Sequence, residues 1–396
     1  MAARQTTQHL ERNAIVDLAS RLIAIPSPSG EELAIMDFVA DWCAGHGIAC
    51  ERIANDPNRP NLVLTVGQPG SGPVVAMNGH LDTVPVSDRA AWRTGPFDPV
   101  VSDDGSRLYG RGASDMKSSV AVMLSLMAAF KDVPLRGQLQ THVVSDEETS
   151  GKYGTIFVLD EIAAGRLPRP DYVLIGEKSD LKVRNAERGL VGFEIACYGR
   201  AAHTAAARAT GVNAIAKAAK AVLALEEDLD KFHPAVGKPV ISINQIHAGV
   251  AHNVVPGECV FTIDRRLIPG ETADSARAEI DARLRAIAAD DPEFRYEIVM
   301  DPHGDAIPAN LTPDDSPLVQ ALQASVREAA GQEPEYFVAW AGATDGRFYR
   351  LAGIDTAGYG PGGENAHGAN EAVFIDDLVV QAQVWAATIS RLLPAG

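Results

Sequence analysis

Apolar and polar positions alternate with two different periods along this chain. Short apolar-rich stretches at Val74–Met77, Gln138–Val144 and Tyr172–Ile175 predict strands. Between them lie segments of helical character. Residues 9–49 predict two helices around a Pro-Ser-Pro-Ser-Gly break at 26–30, Ser118–Asp132 a helix with a Ser start and a Pro134 stop, and Tyr153–Ala164 another. Buried strands alternating with helices imply a largely parallel sheet covered on both faces. The middle of the chain has a different pattern. Residues 188–199 alternate as a half-exposed strand, 211–229 form an amphipathic helix, 239–248 and 254–266 are strands joined by a turn, 272–289 a helix and 293–301 a strand. That order, β-α-β-β-α-β, is the ferredoxin-like pattern. Beyond it come a helix at 317–329, strands near 336–339 and 354–358, and a helix at 376–392. The expected organisation is a discontinuous α/β domain, 1–186 and 302–396, with a smaller α+β domain, 187–301, inserted into it.

Composition narrows the class. The chain has 396 residues, 46% of them apolar, which is too rich for a disordered protein. It carries 35 basic and 52 acidic side chains, a net charge of −17. Such acidity argues against nucleic acid or an anionic membrane as partner, since both require clustered Lys and Arg. The longest apolar stretch, about Val120 to Phe130, contains Ser125 and is flanked by Lys117 and Lys131. It falls short of the roughly 20 residues of a membrane span and predicts a buried helix. Met1–Arg21 shows no apolar signal core, so no signal peptide is expected. Cys43, Cys50, Cys197 and Cys259 have no CxxC spacing and form no disulfide framework, which points to a reducing cytoplasm.

The candidate chemistry sits on loops where an α/β fold places its sites, beyond the carboxyl ends of strands. These loops carry His80-Leu81-Asp82, Gly110–Lys117 with Asp115, Ser145-Asp146-Glu147-Glu148, Gly176-Glu177, and Ala366–Glu371 with His367. Each piece alone has an ordinary structural explanation: a hydrogen-bonded strand-end histidine, a solvated acidic loop, an Asp at a helix start. Together, two imidazoles and several carboxylates suit Zn²⁺, with Mn²⁺ or Co²⁺ as alternatives. One carboxylate bridging two ions about 3.5–4 Å apart makes a two-metal hydrolase centre.

The segments GHLDTVP at 79–85, GRGASDMK at 110–117, SDEE at 145–148, GE at 176–177 and AHGANE at 366–371 are similar in order and rough spacing to those of the M20 metallopeptidases. That family includes acetylornithine deacetylases, succinyl-diaminopimelate desuccinylases, aminoacylases and glutamate carboxypeptidases. The resemblance covers nearly the whole chain. It implies a zinc-peptidase-type catalytic domain with a mostly parallel central sheet, and a ferredoxin-like insertion serving as lid and dimerisation domain. By the same resemblance Asp115 bridges two divalent ions and is followed by a cis peptide bond. His80 and Glu177 complete one metal site, Glu148 and His367 the other. Asp82 orients the His80 imidazole, and Glu147 is the general base.

In the insertion, Gly199–His203 and Gly211–Ile215 resemble the family segment whose histidine reaches the partner subunit's site, where His203 would donate to the developing oxyanion. Asn253 would bind polar groups of the substrate, and Arg266, in the family's D-x-R position, would clamp its carboxylate. Arg265 beside it is expected to be a solvated charge. Gly342–Arg347 resembles a supporting segment, with Thr344 and Asp345 beneath the site. Lys178 stands where the family often has Pro and is expected to be a flexible cation at the rim. Gly362, in the Gly360–Gly363 loop, is either a point of close substrate approach or part of a plain turn.

Glu rather than Asp at 177 tilts the implied activity towards deacylases. The expected protein is a cytoplasmic, homodimeric, metal-dependent amidohydrolase acting on a small N-acyl amino acid or short peptide. A carboxypeptidase or dipeptidase is the alternative, and a metal-binding protein without catalysis the remote one. Hinges near 186 and 302 would allow domain closure.

Overall fold

A computed structural model describes residues 10–304, 306–338 and 342–395. Helices α1 (Arg12–Ile23) and α2 (Leu33–His46) flank the predicted break, and α2 stops at Gly47, whose φ of 68° closes the helix in the left-handed conformation. Strands β1 (Ala49–Ile53), β2 (Asn61–Gly67), β3 (Val74–His80), β4 (Gln138–Val144) and β5 (Tyr172–Ile175) join the late strand β10 (Asp355–Gly358) in one sheet, ordered β1-β2-β4-β3-β5-β10. The β4-β3-β5-β10 part is parallel, as the alternation of elements implies, whereas β1 and β2 add on antiparallel. β1 and β2 are not among the expected strands, although Leu62-Val63-Leu64-Thr65-Val66 of β2 is an apolar run buried at all but Thr65. β1 is an edge strand with no buried residue, so it offers no apolar run or alternation to detect.

Register sets the level of the loops. His80 pairs with Val144, and Asn78 with Ile175, so His80, Ser145 and Glu177 leave the sheet side by side. Beneath them runs α3 (Ser118–Phe130), every residue of it buried. It packs close to two strand ends: a Cβ at Gly79 would lie 2.9 Å from Met123 Cε, and one at Gly176 2.5 Å from the same atom. A larger residue before His80 or Glu177 would displace this methionine side chain, so glycine fits this packing without rearrangement. Helices α4 (Thr155–Ala163), α7 (Pro317–Ser325), α8 (Gly346–Leu351) and α9 (Ile375–Leu392) complete this unit. Ser316 caps α7 ahead of a Pro at its first position. Near 336–339, Tyr336 makes a single bridge to Val183 in place of the expected strand; residue 339 lies outside the described residues.

A second unit spans Ala186–Leu311, with Val338 and Gly342. It contains β6 (Gly189–Tyr198), α5 (Ala214–Leu225), β7 (Val240–Ala248), β8 (Glu258–Leu267), α6 (Ala273–Asp290) and β9 (Arg295–Met300). Its sheet, β7-β8-β6-β9, is antiparallel throughout. The chain leaves this unit after Leu311, because Asn310–Leu311 pairs with Ala186–Glu187. The helices start on good caps. Asn213 accepts from the Ile215 and Ala216 amides, and Thr272 and Ser275 form a reciprocal box. Val191, Phe193, Ile195 and Cys197 pack with Ala214, Ala218, Ile280 and Leu284 in its core.

Two expectations change here. The strand expected at 254–266 is broken at Pro256-Gly257, and Val254–Val255 pairs instead with Ala202–His203. Arg265 is not solvated: it is fully buried, with Nη2 2.7 Å from Glu271 Oε1. Along β8 the buried positions are Cys259, Phe261, Ile263, Arg265 and Leu267, so strand periodicity turns Arg265 inward and Arg266 outward.

Candidate metal centre

Five loops of the first unit bring their polar side chains to one point. His80 Nε2 lies 3.1 Å from Asp115 Oδ1, 3.2 Å from Glu177 Oε1 and 3.8 Å from Glu147 Oε2. His367 Nε2 lies 3.1 Å from Asp115 Oδ2 and 3.0 Å from Glu148 Oε2. Asp115 thus turns one carboxylate oxygen to each imidazole, and it is followed by a cis peptide bond to Met116. Ligand atoms of His80, Glu147 and Glu177, and likewise of His80, Asp115 and Glu148, all lie within 4.8 Å of one another. Tetrahedral ligands about 2.0–2.2 Å from Zn²⁺ stand about 3.3–3.6 Å apart. These groups need to spread by only a few tenths of an ångström to fit two ions of that size. The donor set also fits: neutral imidazole nitrogens and carboxylates serve Zn²⁺ and its neighbours in the first transition row.

The supports are as specific as the ligands. His80 Nδ1 is 2.9 Å from the Asp82 carbonyl oxygen and 3.4 Å from its carboxylate, which leaves Nε2 to face the other groups. The Asp82 carboxylate itself accepts from the Glu147 and Glu148 amides at 3.1 and 3.2 Å and from Ser29 Oγ at 2.7 Å. Asp82 therefore orients the imidazole mainly through its main chain and holds the Glu147-Glu148 loop through its side chain.

Burial and mutual proximity displace the protonation of this cluster when no metal is bound. Burial opposes a charge on His80, but hydrogen bonds that the ring donates to the Asp115, Asp82 and Glu177 carboxylates prevail and lift its pKa well above the usual value. Hydrogen bonds that the imidazole donates to Asp115 and Glu148 push His367 up to about 10. Burial, together with Glu177, Asp345 and Asp115 nearby, raises Glu147 well above an ordinary carboxylate, although His80 opposes this. A raised imidazole pKa means that an entering metal ion must displace a proton. Apparent zinc affinity is therefore expected to increase as pH rises from about 6.5 towards 10, the interval between the ordinary histidine pKa and that of His367. By the same sign, the His367 contribution to the stability of the metal-free fold is complete below about 6.5 and lost as pH climbs through about 10. Calorimetric titration with zinc in two buffers of different ionisation enthalpy measures the proton release; an affinity flat between these limits contradicts it.

The sequence profile described as Peptidase family M20/M25/M40 matches residues 76–391. The chain belongs to the M20 peptidase family. It is accordingly a metal-dependent hydrolase of amide and peptide bonds. Among its relatives, the succinyl-diaminopimelate desuccinylase of Azoarcus sp. is 31% identical over 96% of this chain and 97% of that one, and its counterpart in Thioalkalivibrio sulfidiphilus 31% over 96% and 98%. Among solved structures, aminopeptidase PepT from Bacillus cereus shares the fold with a TM-score of 0.74 at 18% identity, covering 97% of this chain and 99% of its own. A Bacillus subtilis dinuclear metal binding peptidase of the M20 family superposes with a TM-score of 0.71, also at 18% identity, covering 97% and 99%.

In this M20 protein the remaining site residues named from sequence stand as follows. Gly362 has its amide taken by Asp377 Oδ2 at 2.8 Å, and a Cβ there would lie 2.9 Å from Phe374 Cδ2, which favours a held turn. Lys178 pairs with Asp180 Oδ1 at 2.7 Å. The other three belong to the second unit. His203 is exposed on the short strand paired with Val254, and its neighbour Thr204 donates to the Asn253 carbonyl at 3.0 Å, so His203 and Asn253 are adjacent. Arg266 presents its fork to Asp264, Nε to Oδ1 at 2.8 Å and Nη2 to Oδ2 at 3.0 Å.

Of the other residues around the centre, only Asp345 is expected from the sequence. Arg59 reaches Glu32 Oε1 at 2.7 Å and Asp146 Oδ1 at 2.8 Å while lying 4.8 Å over the Tyr153 ring, so one guanidinium holds the base of the Glu147-Glu148 loop. A buried set of hydrogen bonds spreads in two arms from the Asn78 amide, which donates to both. Gln140 accepts from His142 Nε2, His142 Nδ1 accepts from the Tyr349 hydroxyl, Asn78 Nδ2 donates to Tyr349 Oη and Thr155 Oγ1, and Thr155 donates to Asp345 Oδ2 at 2.6 Å. Burial depresses His142 to about 4, which keeps it neutral as these bonds demand. Burial also lifts Asp345 to about 7.

Proposed function

We propose that this M20 protein removes the acyl group from an N-acyl amino acid, with two divalent ions, Zn²⁺ foremost, held by His80, Glu177, Glu148, His367 and the bridging Asp115. The observation that carries the reading is Asp115 offering one oxygen to each of two imidazoles with Glu147 at the same point. Such ions supply Lewis acidity, acidifying water and polarising the scissile carbonyl. Glu147 takes the proton from the water that attacks the carbonyl carbon, and gives it to the departing amine nitrogen as the C–N bond breaks. Its raised pKa suits both halves of that transfer. Arg266 takes the substrate carboxylate in exchange for Asp264, Asn253 binds polar groups of the substrate, and His203 donates to the oxyanion.

The acyl amino acid substrate is supported by full-length relatives named as desuccinylases at about 30% identity. A homodimer through the second unit is supported by β7, an edge strand whose Ile246 is exposed beside Val250. The low cysteine count supports a cytoplasmic location. Among the described residues no helix is long and apolar enough to cross a membrane.

A panel of N-succinyl-, N-acetyl- and aminoacyl-amino acids, assayed with Zn²⁺, Co²⁺ or Mn²⁺, tests the substrate class. Acyl amino acids are expected to exceed dipeptides at least tenfold in kcat/KM. The reverse order replaces this reading with that of a dipeptidase or carboxypeptidase, and no turnover with ions bound replaces it with that of a metal-binding protein.

A further inference from the structure

We propose that Glu371, with Arg111, is a positioning residue for the dinuclear centre: a buried brace that aims the two oxygens of Asp115 at the two imidazoles. The inference rests on the two-metal reading above and adds a residue outside its ligand set.

Glu371 closes the loop that carries His367 and immediately precedes the short strand Ala372–Phe374. That strand pairs with Arg107–Tyr109, Ala372 opposite Tyr109, which brings Glu371 against the start of the Asp115 loop. Its carboxylate is buried and receives five donors, all from residues 111–115. Oε1 accepts from the Ser114 amide at 2.9 Å, Ser114 Oγ at 3.1 Å and the Asp115 amide at 3.1 Å. Oε2 accepts from the Gly112 amide at 2.9 Å and Arg111 Nη1 at 2.7 Å. Arg111 is buried too, and its Nη2 continues to the His367 carbonyl at 3.1 Å.

The need for such an acceptor lies in the backbone. Gly112 sits at φ 81°, and Asp115 and Met116 at φ −133° and −134°, so this turn is not a regular helix. Its amides cannot all find carbonyl partners in sequence, and buried amides without partners cost about 1–3 kcal/mol each. A carboxylate, which accepts at both oxygens and donates at neither, satisfies three of them at once. The same pair thereby fixes the Asp115 main chain and the His367 main chain relative to each other. These residues supply the Asp115 Oδ2–His367 Nε2 contact at 3.1 Å. Positioning of this kind is how groups outside a ligand set control metal affinity, typically by 10–100-fold.

Glu371→Gln is the isosteric test, because its amide group would face donors with a donor. The readouts are zinc stoichiometry and affinity by calorimetry, the visible spectrum of the Co²⁺-loaded protein, and kcat and KM measured separately. The expected result is a folded variant that binds the second zinc at least tenfold more weakly, with an altered Co²⁺ spectrum and a kcat at least tenfold lower at a KM within threefold. A variant that binds two ions with native affinity and spectrum overturns the brace, even if its melting temperature falls, since that is loss of stability alone. Arg111→Lys keeps the charge but not the reach to both Glu371 and His367. If Glu371→Gln does not fold, Arg111→Lys is measured in the same way, and native affinity and spectrum in it overturn the brace. Native protein that binds fewer than two ions overturns the two-metal reading, and the brace with it; native protein that binds two beside an unaffected variant overturns the brace only.

Discussion

Glu147→Gln is expected to lower kcat by about 10²–10⁴-fold while leaving metal content at its native level, the loss typical when general-base assistance is removed. The side chain is half-buried beside His80 Nε2 at 3.8 Å, and an amide has the same shape as the carboxylate. The loop is held by its own amides on the Asp82 carboxylate and by Arg59 on Asp146, and neither contact uses the Glu147 carboxylate. What the substitution removes is the ability to take and return a proton. Steady-state kinetics with metal analysis of the same sample checks it. Activity surviving within tenfold shows that another group moves the proton; loss of metal shows that Glu147 is a ligand.

Asp115→Ala is expected to abolish turnover and to empty both metal positions, because each imidazole faces a different oxygen of this one carboxylate. Asp115→Asn should be selective, since it retains one oxygen and replaces the other with an amide nitrogen that is no metal ligand. The Asn variant should keep one ion and the Ala variant fewer than one, by elemental analysis after dialysis against trace zinc. Two ions retained in Asp115→Ala would remove Asp115 from the bridging position. Burial disfavours ionisation of Asp115, but hydrogen bonds from His367 and His80 prevail and hold its pKa below the usual carboxylate range, so it is charged throughout the working pH interval.

The loops that meet at the candidate metal centre were legible because each follows a strand end or enters a helix, and because their residue types share one chemistry. The residues that hold them were not. Arg59 lies 27 positions from Glu32, and Glu371 about 256–260 from the groups it binds, at spacings that no local pattern marks. Acidic side chains near a histidine also look alike in sequence whether they bind metal, accept amides or face water. Asp82 shows this: its carboxylate lies 3.4 Å from His80 Nδ1, as the resemblance implies, and also accepts two loop amides, while its carbonyl oxygen makes the nearer contact to the ring. Arg265 is a different case. Its inward direction follows from the strand period and was readable from the apolar residues at 259, 261, 263 and 267.

By itself the sequence carried most of the strand and helix order, the ferredoxin-like insertion, the family and the five loops that meet at the candidate metal centre. All of these are encoded in local periodicity and in residue types that sit close together along the chain. Tertiary structure alone decided that His80 and Glu177 stand level at the sheet end, that Asp115 divides its oxygens between two imidazoles, and which carboxylates accept backbone amides instead. Those outcomes depend on strand register and on the directions of hydrogen bonds between segments far apart in the chain, and such directions exist only once the backbone has closed around them.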